Sequence, residues 1–183
     1  MAASLPPIVC VVGKQKSGKT TTIVGLVREF VARGYCVMTA KHGHGFELDT
    51  AGTDSYRHRH DGGAHRVLLA GPGQVAVAGA WGPGGEPPLE ELVVRYLSDA
   101  DLVVAEGFKT EPFPRIEVFR RATHEHPLYG HEPPDDAAYL AVLTDVAGFK
   151  AHVPVLDIDD PSRFVRLADL LEAALPMART PKE

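Results

Sequence analysis

Residues 13–20 read Gly13-Lys14-Gln15-Lys16-Ser17-Gly18-Lys19-Thr20. The apolar run Ile8-Val9-Cys10-Val11-Val12 stands directly before them. Ile23, Leu26, Val27, Phe30 and Val31 follow at helical spacing. Strand, glycine loop and helix together are the context in which this spacing works as a phosphate-binding loop. The backbone N–H groups of such a loop wrap a phosphate, its lysine reaches the β and γ oxygens, and its last hydroxyl binds Mg²⁺. Gly13, Lys14, Lys16, Ser17, Gly18, Lys19, Thr20 and Thr21 are therefore the candidate phosphate-contacting residues. Lys19 is the candidate catalytic cation and Thr20 a candidate Mg²⁺ ligand.

The rest of the chain alternates strand and helix patterns. Arg33-Gly34 closes the first helix with a cation and a glycine. A strand is expected at 35–40 and a long polar loop at 41–52. Thr53-Asp54-Ser55 reads as the cap of a short helix ending at Gly62-Gly63. Runs at 66–70 and 74–78 flank Gly71-Pro72-Gly73 as a hairpin. A helix at 89–97 and strands at 101–105 and 115–120 follow. Residues 123–136, rich in Pro, His and acids, read as an exposed excursion or lid. Strands at 139–143 and 154–156 precede a helix opened by Pro161, with Phe164, Leu167, Leu170 and Leu171 on its apolar face. Continuous apolar strands alternating with helices predict an α/β fold of three layers, a largely parallel sheet with helices on both faces, plus the antiparallel hairpin. No linker or repeat interrupts it. The expectation is a single domain over 1–183, with an ordered core at about 8–175.

With 44% hydrophobic and 23% charged residues, 183 residues suffice for a substantial core. A formal net charge of −5 argues against a nucleic-acid partner. No stretch approaches the ~20 apolar residues of a membrane span. Residues 1–7 lack the basic and apolar regions of a secretory signal, so a cytoplasmic location is expected. Cys10 and Cys36 each lie beside valines in expected strands and read as inert core thiols.

In a doubly wound sheet, ligands sit at the carboxyl ends of the strands. Lys41-His42-Gly43-His44, then Asp49, Asp54 and Ser55, follow the second strand. Glu106-Gly107-Phe108-Lys109 follows the strand at 101–105, and Thr144-Asp145 the strand at 139–143. Glu106 occupies the place where such proteins put a carboxylate beside Mg²⁺. Magnesium keeps several waters and takes few protein ligands, which suits Thr20, Glu106 and Asp49. Lys41 would face phosphates or substrate. His42 and His44 permit a metal pair without demanding one; hydrogen-bonding histidines are the plainer reading. Asp145 either reads guanine, accepting from N1–H and the 2-amino group, or caps a turn. His58, His60, His65, His124, His126 and His131 read as surface residues. Trp81 and Phe108 read as packing residues.

Four blocks together resemble the molybdopterin-guanine dinucleotide biosynthesis protein B (MobB) family. They are Gly13–Thr20; Lys41-His42-x-His44-x-Phe46-x-x-Asp49-x-x-Gly52-x-Asp54-Ser55; Asp101-Leu102-Val103-Val104-x-Glu106-Gly107-Phe108-Lys109; and Ile116-Glu117-Val118-Phe119-Arg120. The chain's later segments, 141–145, 153–155 and 157–160, fit as well, so the resemblance covers roughly 8–175. It implies a P-loop NTPase fold and a homodimer that binds GTP and Mg²⁺ with weak GTPase activity. It also implies a helper role beside the molybdenum cofactor guanylyltransferase, which joins molybdopterin to GMP. In that setting Lys41, His42, His44, Asp54 and Lys109 would line the second-ligand or partner side. Two departures stand out. Thr53 replaces the lysine usual before the Asp-Ser pair. Lys14 is extra, and matches a lysine that crosses the dimer interface in related ATPases; a solvated loop lysine is the plainer reading.

Hydrolysis should be slow, since no glutamine stands where it would orient water and no arginine finger is evident. Two other readings remain open: a P-loop small-molecule kinase using 121–136 as its lid, and a nucleotide-gated adaptor without meaningful hydrolysis.

Overall fold

The computed structural model describes residues 5–43, 50–131 and 138–179. The chain forms two compact units, one from the residues up to His42 together with those from Pro88 onward, the other from Gly43–Pro87.

In the larger unit, β1 (Ile8–Val12), β2 (Val37–Lys41), β5 (Leu102–Glu106), β6 (Arg115–Phe119), β7 (Tyr139–Thr144) and β8 (Val155–Asp157) form one sheet in the order β2-β5-β1-β6-β7-β8. Every neighbouring pair is parallel. The expected three-layer architecture is the one observed. One face carries Val9, Val11, Leu102, Val104, Ile116 and Val118 against α1 (Lys19–Ala32) and α4 (Arg163–Ala174). The other carries Cys10, Val12, Val103 and Ala105 against α3 (Leu89–Tyr96) and the chain around Leu128. Each fully buried Leu or Phe of these layers is worth about 2 kcal/mol of transfer free energy.

Register brings the strand ends level. Val11 pairs with Glu106, and Glu106 with Lys41. Across the sheet, Phe119 pairs with Thr144 and Thr144 with Asp157.

The helix that follows the glycine loop is fixed from behind. Gly25 lets the Phe164 ring approach so closely that an added Cβ would lie 2.3 Å from it. At the far end Arg33 binds Glu29, Asp169 and Glu172 at 2.7–2.9 Å, and Tyr35 donates to the same Glu172. Burial works against the Arg33 charge, but these three carboxylates outweigh it and raise the group above its ordinary value.

Two polar residues are buried in β6, and one thiol departs from expectation. Arg115 and Glu117 on β6 are both fully buried. Arg115 donates to the carbonyls of Lys109 (2.6 Å) and Glu111 (2.8 Å) and stacks over Tyr139. Glu117 accepts the N–H groups of Leu128 (2.6 Å) and Tyr129 (2.8 Å). Cys10 is buried as expected, and burial pushes its thiol up to about 12. Cys36 is exposed rather than buried. Asp101 takes its N–H, and the strand begins only at Val37, on the sheet's edge.

The smaller unit contains α2 (Asp54–His60) and an antiparallel hairpin of β3 (Arg66–Gly71) and β4 (Gln74–Gly79). Thr53 caps α2 as expected, its hydroxyl accepting from Tyr56 N–H. In the hairpin Leu68 opposes Val77 and Ala70 opposes Val75, so these four share a face. Leu68, Val75 and Val77 are 66%, 72% and 42% exposed.

Candidate functional site

The loop after β1 takes backbone angles that ordinary side chains resist. Gly13 has φ +145° and Gly18 φ +104°. A Cβ on Gly13 would lie 2.3 Å from the Val118 carbonyl oxygen, so only glycine lets the loop pass β6. Lys16 holds φ +62°, an outlier for a lysine at an exposed loop apex.

Gly18 is the N-cap of α1. It supplies no side-chain cap, and the first turn of the helix contains no acidic residue. The leading N–H groups of a 14-residue helix thus have neither a side-chain cap nor an acidic residue within the helix's own first turn. Their positive end favours an anion. Inside the loop the Ser17 hydroxyl is 1% exposed as a residue and has no hydrogen-bond partner among the described residues. Both features fit a bound phosphate.

Around the loop the structure gathers residues from three strand ends. Gln15, Lys16, Gly18, Lys19, Thr20, Thr21 and Glu106 line one cleft of about 310 Å³. The Thr20 hydroxyl lies 3.3 and 3.2 Å from the two Glu106 carboxylate oxygens. Lys41 Nζ stands 3.4 Å from Glu106 Oε1. Lys19 Nζ donates to the Lys14 carbonyl at 2.8 Å. Burial pulls the Lys19 ammonium below the ordinary lysine value; Glu106 pulls it back up, while Lys109 and Lys41 push it down. The Lys19 ammonium thus feels two other ammonium groups and one carboxylate, an excess of positive charge that a polyanion would relieve.

Thr20 and Glu106 present hard oxygen donors from two elements, as Mg²⁺ prefers. Among the described residues no group of three His, Cys, Asp or Glu could hold a metal by itself. Such a cation would complete its shell with phosphate oxygens and water.

His42 follows β2. Its N–H donates to the Glu106 carbonyl, and its ring stacks at a tilt on Phe108, centroids 5.4 Å apart. Phe108 is buried, at φ +46°. Lys109 is exposed, its carbonyl held by Arg115. Asp145 follows β7 and lines a second cavity of about 240 Å³ with Thr144, Val146, Ala147, Gly148, Val155 and Asp157. Its Oδ1 accepts the Arg121 N–H at 2.8 Å. Asp54 opens α2 in the smaller unit. His44 and Asp49 lie outside the described residues.

The sequence reading missed three neighbours of the loop. Gln15 lines the cleft with Lys19, Thr20 and Glu106. His124 Nε2 lies 2.5 Å from the Gln15 carbonyl. The Arg120 side chain passes Gly18: its Nε would lie 3.8 Å from a Cβ there. A basic residue directly after a central strand was the available signal for Arg120. His124 had none.

Loop, sheet order and strand-end carboxylate define a P-loop NTPase-type fold with its site at the carboxyl edge of a parallel sheet. A family model described as molybdopterin guanine dinucleotide synthesis protein B matches residues 8–145, and the chain belongs to that family. A molybdopterin-guanine dinucleotide biosynthesis adapter protein of Haemophilus influenzae is 32% identical over 177 residues, covering 91% of this chain and 88% of the relative. The protein of the same description from Escherichia coli is 32% identical over 165 residues, covering 84% and 86%. The crystal structure of Bacillus subtilis MobB superposes with a TM-score of 0.69 at 26% identity, covering 90% of this chain and 97% of that one. No helix of the described residues is long and apolar enough to cross a membrane.

Proposed function

We propose that this chain is a GTP-binding adapter with weak, Mg²⁺-dependent GTPase activity, serving the step that forms molybdopterin guanine dinucleotide. The observation that carries the nucleotide part is the Thr20–Glu106 pair at the mouth of an uncapped phosphate loop. Lys19 and the α1 amides hold the phosphates. Thr20 and Glu106 hold Mg²⁺, which when bound neutralises charge on the terminal phosphates. Asp145 takes guanine in the cavity beyond β7, and its Oδ1 contact with Arg121 fixes the carboxylate for that reading. His42, Lys41 and Lys109 form the rim facing a second ligand, molybdopterin or the partner guanylyltransferase. The adapter role follows the description of the relatives, and the setting is the cytoplasm.

Calorimetric titration with GTP and ATP, with and without Mg²⁺, tests this reading. GTP should bind at least about tenfold more tightly than ATP, since adenine offers neither N1–H nor the 2-amino group to Asp145. Asp145→Ala should erase most of the difference. A clear ATP preference would remove Asp145 as the base reader. Turnover rising steeply with one small metabolite would favour the kinase reading instead.

The homodimer implied by the resemblance has a physical motive in the hairpin. A two-stranded ribbon is marginal in water, and this one exposes Leu68, Val75 and Val77 on one face. We assign the cover to a second copy of the chain. Sedimentation should give a dimer for the wild type and a monomer for Leu68→Lys/Val77→Lys. A wild-type monomer at micromolar concentration would defeat the assignment.

A further inference from the structure

We propose that Arg120 is a nucleotide-binding residue, directed at the α-phosphate, and that Asp159 holds it off that anion until a nucleotide binds. This rests on the reading of the loop after β1 as a phosphate site. Three observations place the guanidinium.

First, Arg120 directly follows β6, the strand beside β1, and its Nε would lie 3.8 Å from a Cβ on Gly18, the N-cap of α1. A cation at the positive end of a helix is unfavourable by itself. It becomes favourable when an anion lies between guanidinium and helix.

Second, among the described residues Arg120 forms its ion pair with Asp159, at 3.1 Å. Asp159 is 68% exposed and Arg120 33%. An ion pair so open to water is worth little and is easily exchanged. A phosphate oxygen, which a guanidinium can engage with two parallel N–H groups, is the stronger acceptor.

Third, the adjacent residue touches the residue proposed to read the base. Arg121 N–H donates to Asp145, the proposed base reader. The Arg120–Arg121 pair therefore spans the interval between the loop and Asp145. Glu106 and Thr20, the Mg²⁺ end, lie toward β5 on the opposite side of β1. A nucleotide with its metal-bound phosphates toward β5 and its base toward β7 passes Arg120 with its α-phosphate and ribose. The γ-phosphate lies at the other end, so Arg120 adds affinity and leaves hydrolysis untouched.

The experiment is titration of wild type, Arg120→Ala, Asp159→Asn and Lys19→Ala with GTP and GDP, plus single-turnover hydrolysis of saturating GTP. Arg120→Ala should weaken GTP and GDP equally, by about tenfold, with the hydrolysis rate of bound GTP unchanged. Asp159→Asn should tighten both about threefold by releasing the arginine. Both variants lose the same ion pair, so a merely structural contact would move them in the same direction. Arg120→Ala within twofold of wild type, while Lys19→Ala fails to bind, overturns this inference and leaves the phosphate site standing. A fall in hydrolysis rate without a loss of affinity also overturns it, assigning Arg120 to the γ-phosphate. A wild type that binds neither nucleotide overturns both the site and the inference.

Discussion

Lys19→Ala is expected to abolish GTP binding while the protein stays folded. The Lys19 ammonium is half-buried and lies 2.8 Å from the Lys14 carbonyl, at the mouth of the loop. Its desolvation is already met by the fold, so a phosphate gains a charge-assisted contact at little further cost. No core packing depends on the side chain: the buried face of α1 is Thr22, Ile23, Leu26 and Phe30. The expected loss is about a hundredfold or more in affinity. Thermal unfolding should shift by less than about 3 °C, as for a substitution worth under 1 kcal/mol. Unchanged GTP affinity would remove the loop from the site.

Glu117→Gln should cause the largest loss of stability. The carboxylate is fully buried, and its two oxygens accept the N–H groups of Leu128 and Tyr129. A glutamine of the same shape has one acceptor and turns its NH₂ toward the other N–H. One backbone donor is then buried without a partner, and a charge-assisted bond is gone. The cost is about 3 kcal/mol. For a chain of this size that lowers the melting temperature by roughly 10 °C. A calorimetric midpoint within about 2 °C of wild type would contradict the account. The damage should also reach the loop, because the segment anchored by Glu117 carries His124 to the Gln15 carbonyl.

The β1–loop–α1 unit was legible because a central parallel strand is a continuous apolar run and the glycine spacing has few other uses. The cap of α2 was legible too, since an ST-type cap is a local interaction. Other errors trace to contacts across the chain. The second strand starts at Val37 because Asp101 claims the Cys36 N–H, and its position at the sheet edge leaves Cys36 in water. Pro161 does not open the last helix. Asp160 accepts from Ser162 N–H and hydroxyl, so residues 160–162 form a turn and the helix begins at Arg163. Those hydrogen bonds hold the Asp160 carboxyl below its ordinary value. Val31 belongs to the apolar stripe by spacing but is 53% exposed.

The same division holds at the site. Strand-end residues such as Glu106, Lys41 and Asp145 were legible from their position after apolar runs. The burial of Arg115 and Glu117 was not, because nothing local to a strand shows which of its polar residues the rest of the chain will cover. Only loops folding back from 107–111 and 128–129 bury them. Thr53 carries no charge, yet its hydroxyl caps α2, so the position retains a structural task where the resemblance implied a lysine.

A ribosome releases β1 early, yet both of its neighbours arrive much later: β5 begins at Leu102 and β6 at Arg115. Until then the strand's apolar run has no hydrogen-bonding partner, and Gly13 has no Val118 carbonyl to pass. Native pairing of this kind is slow, and unpaired strands are prone to aggregate. The loop after β1 is thus translated well before the strands that give it its shape, and fragments ending before Phe119 should not fold.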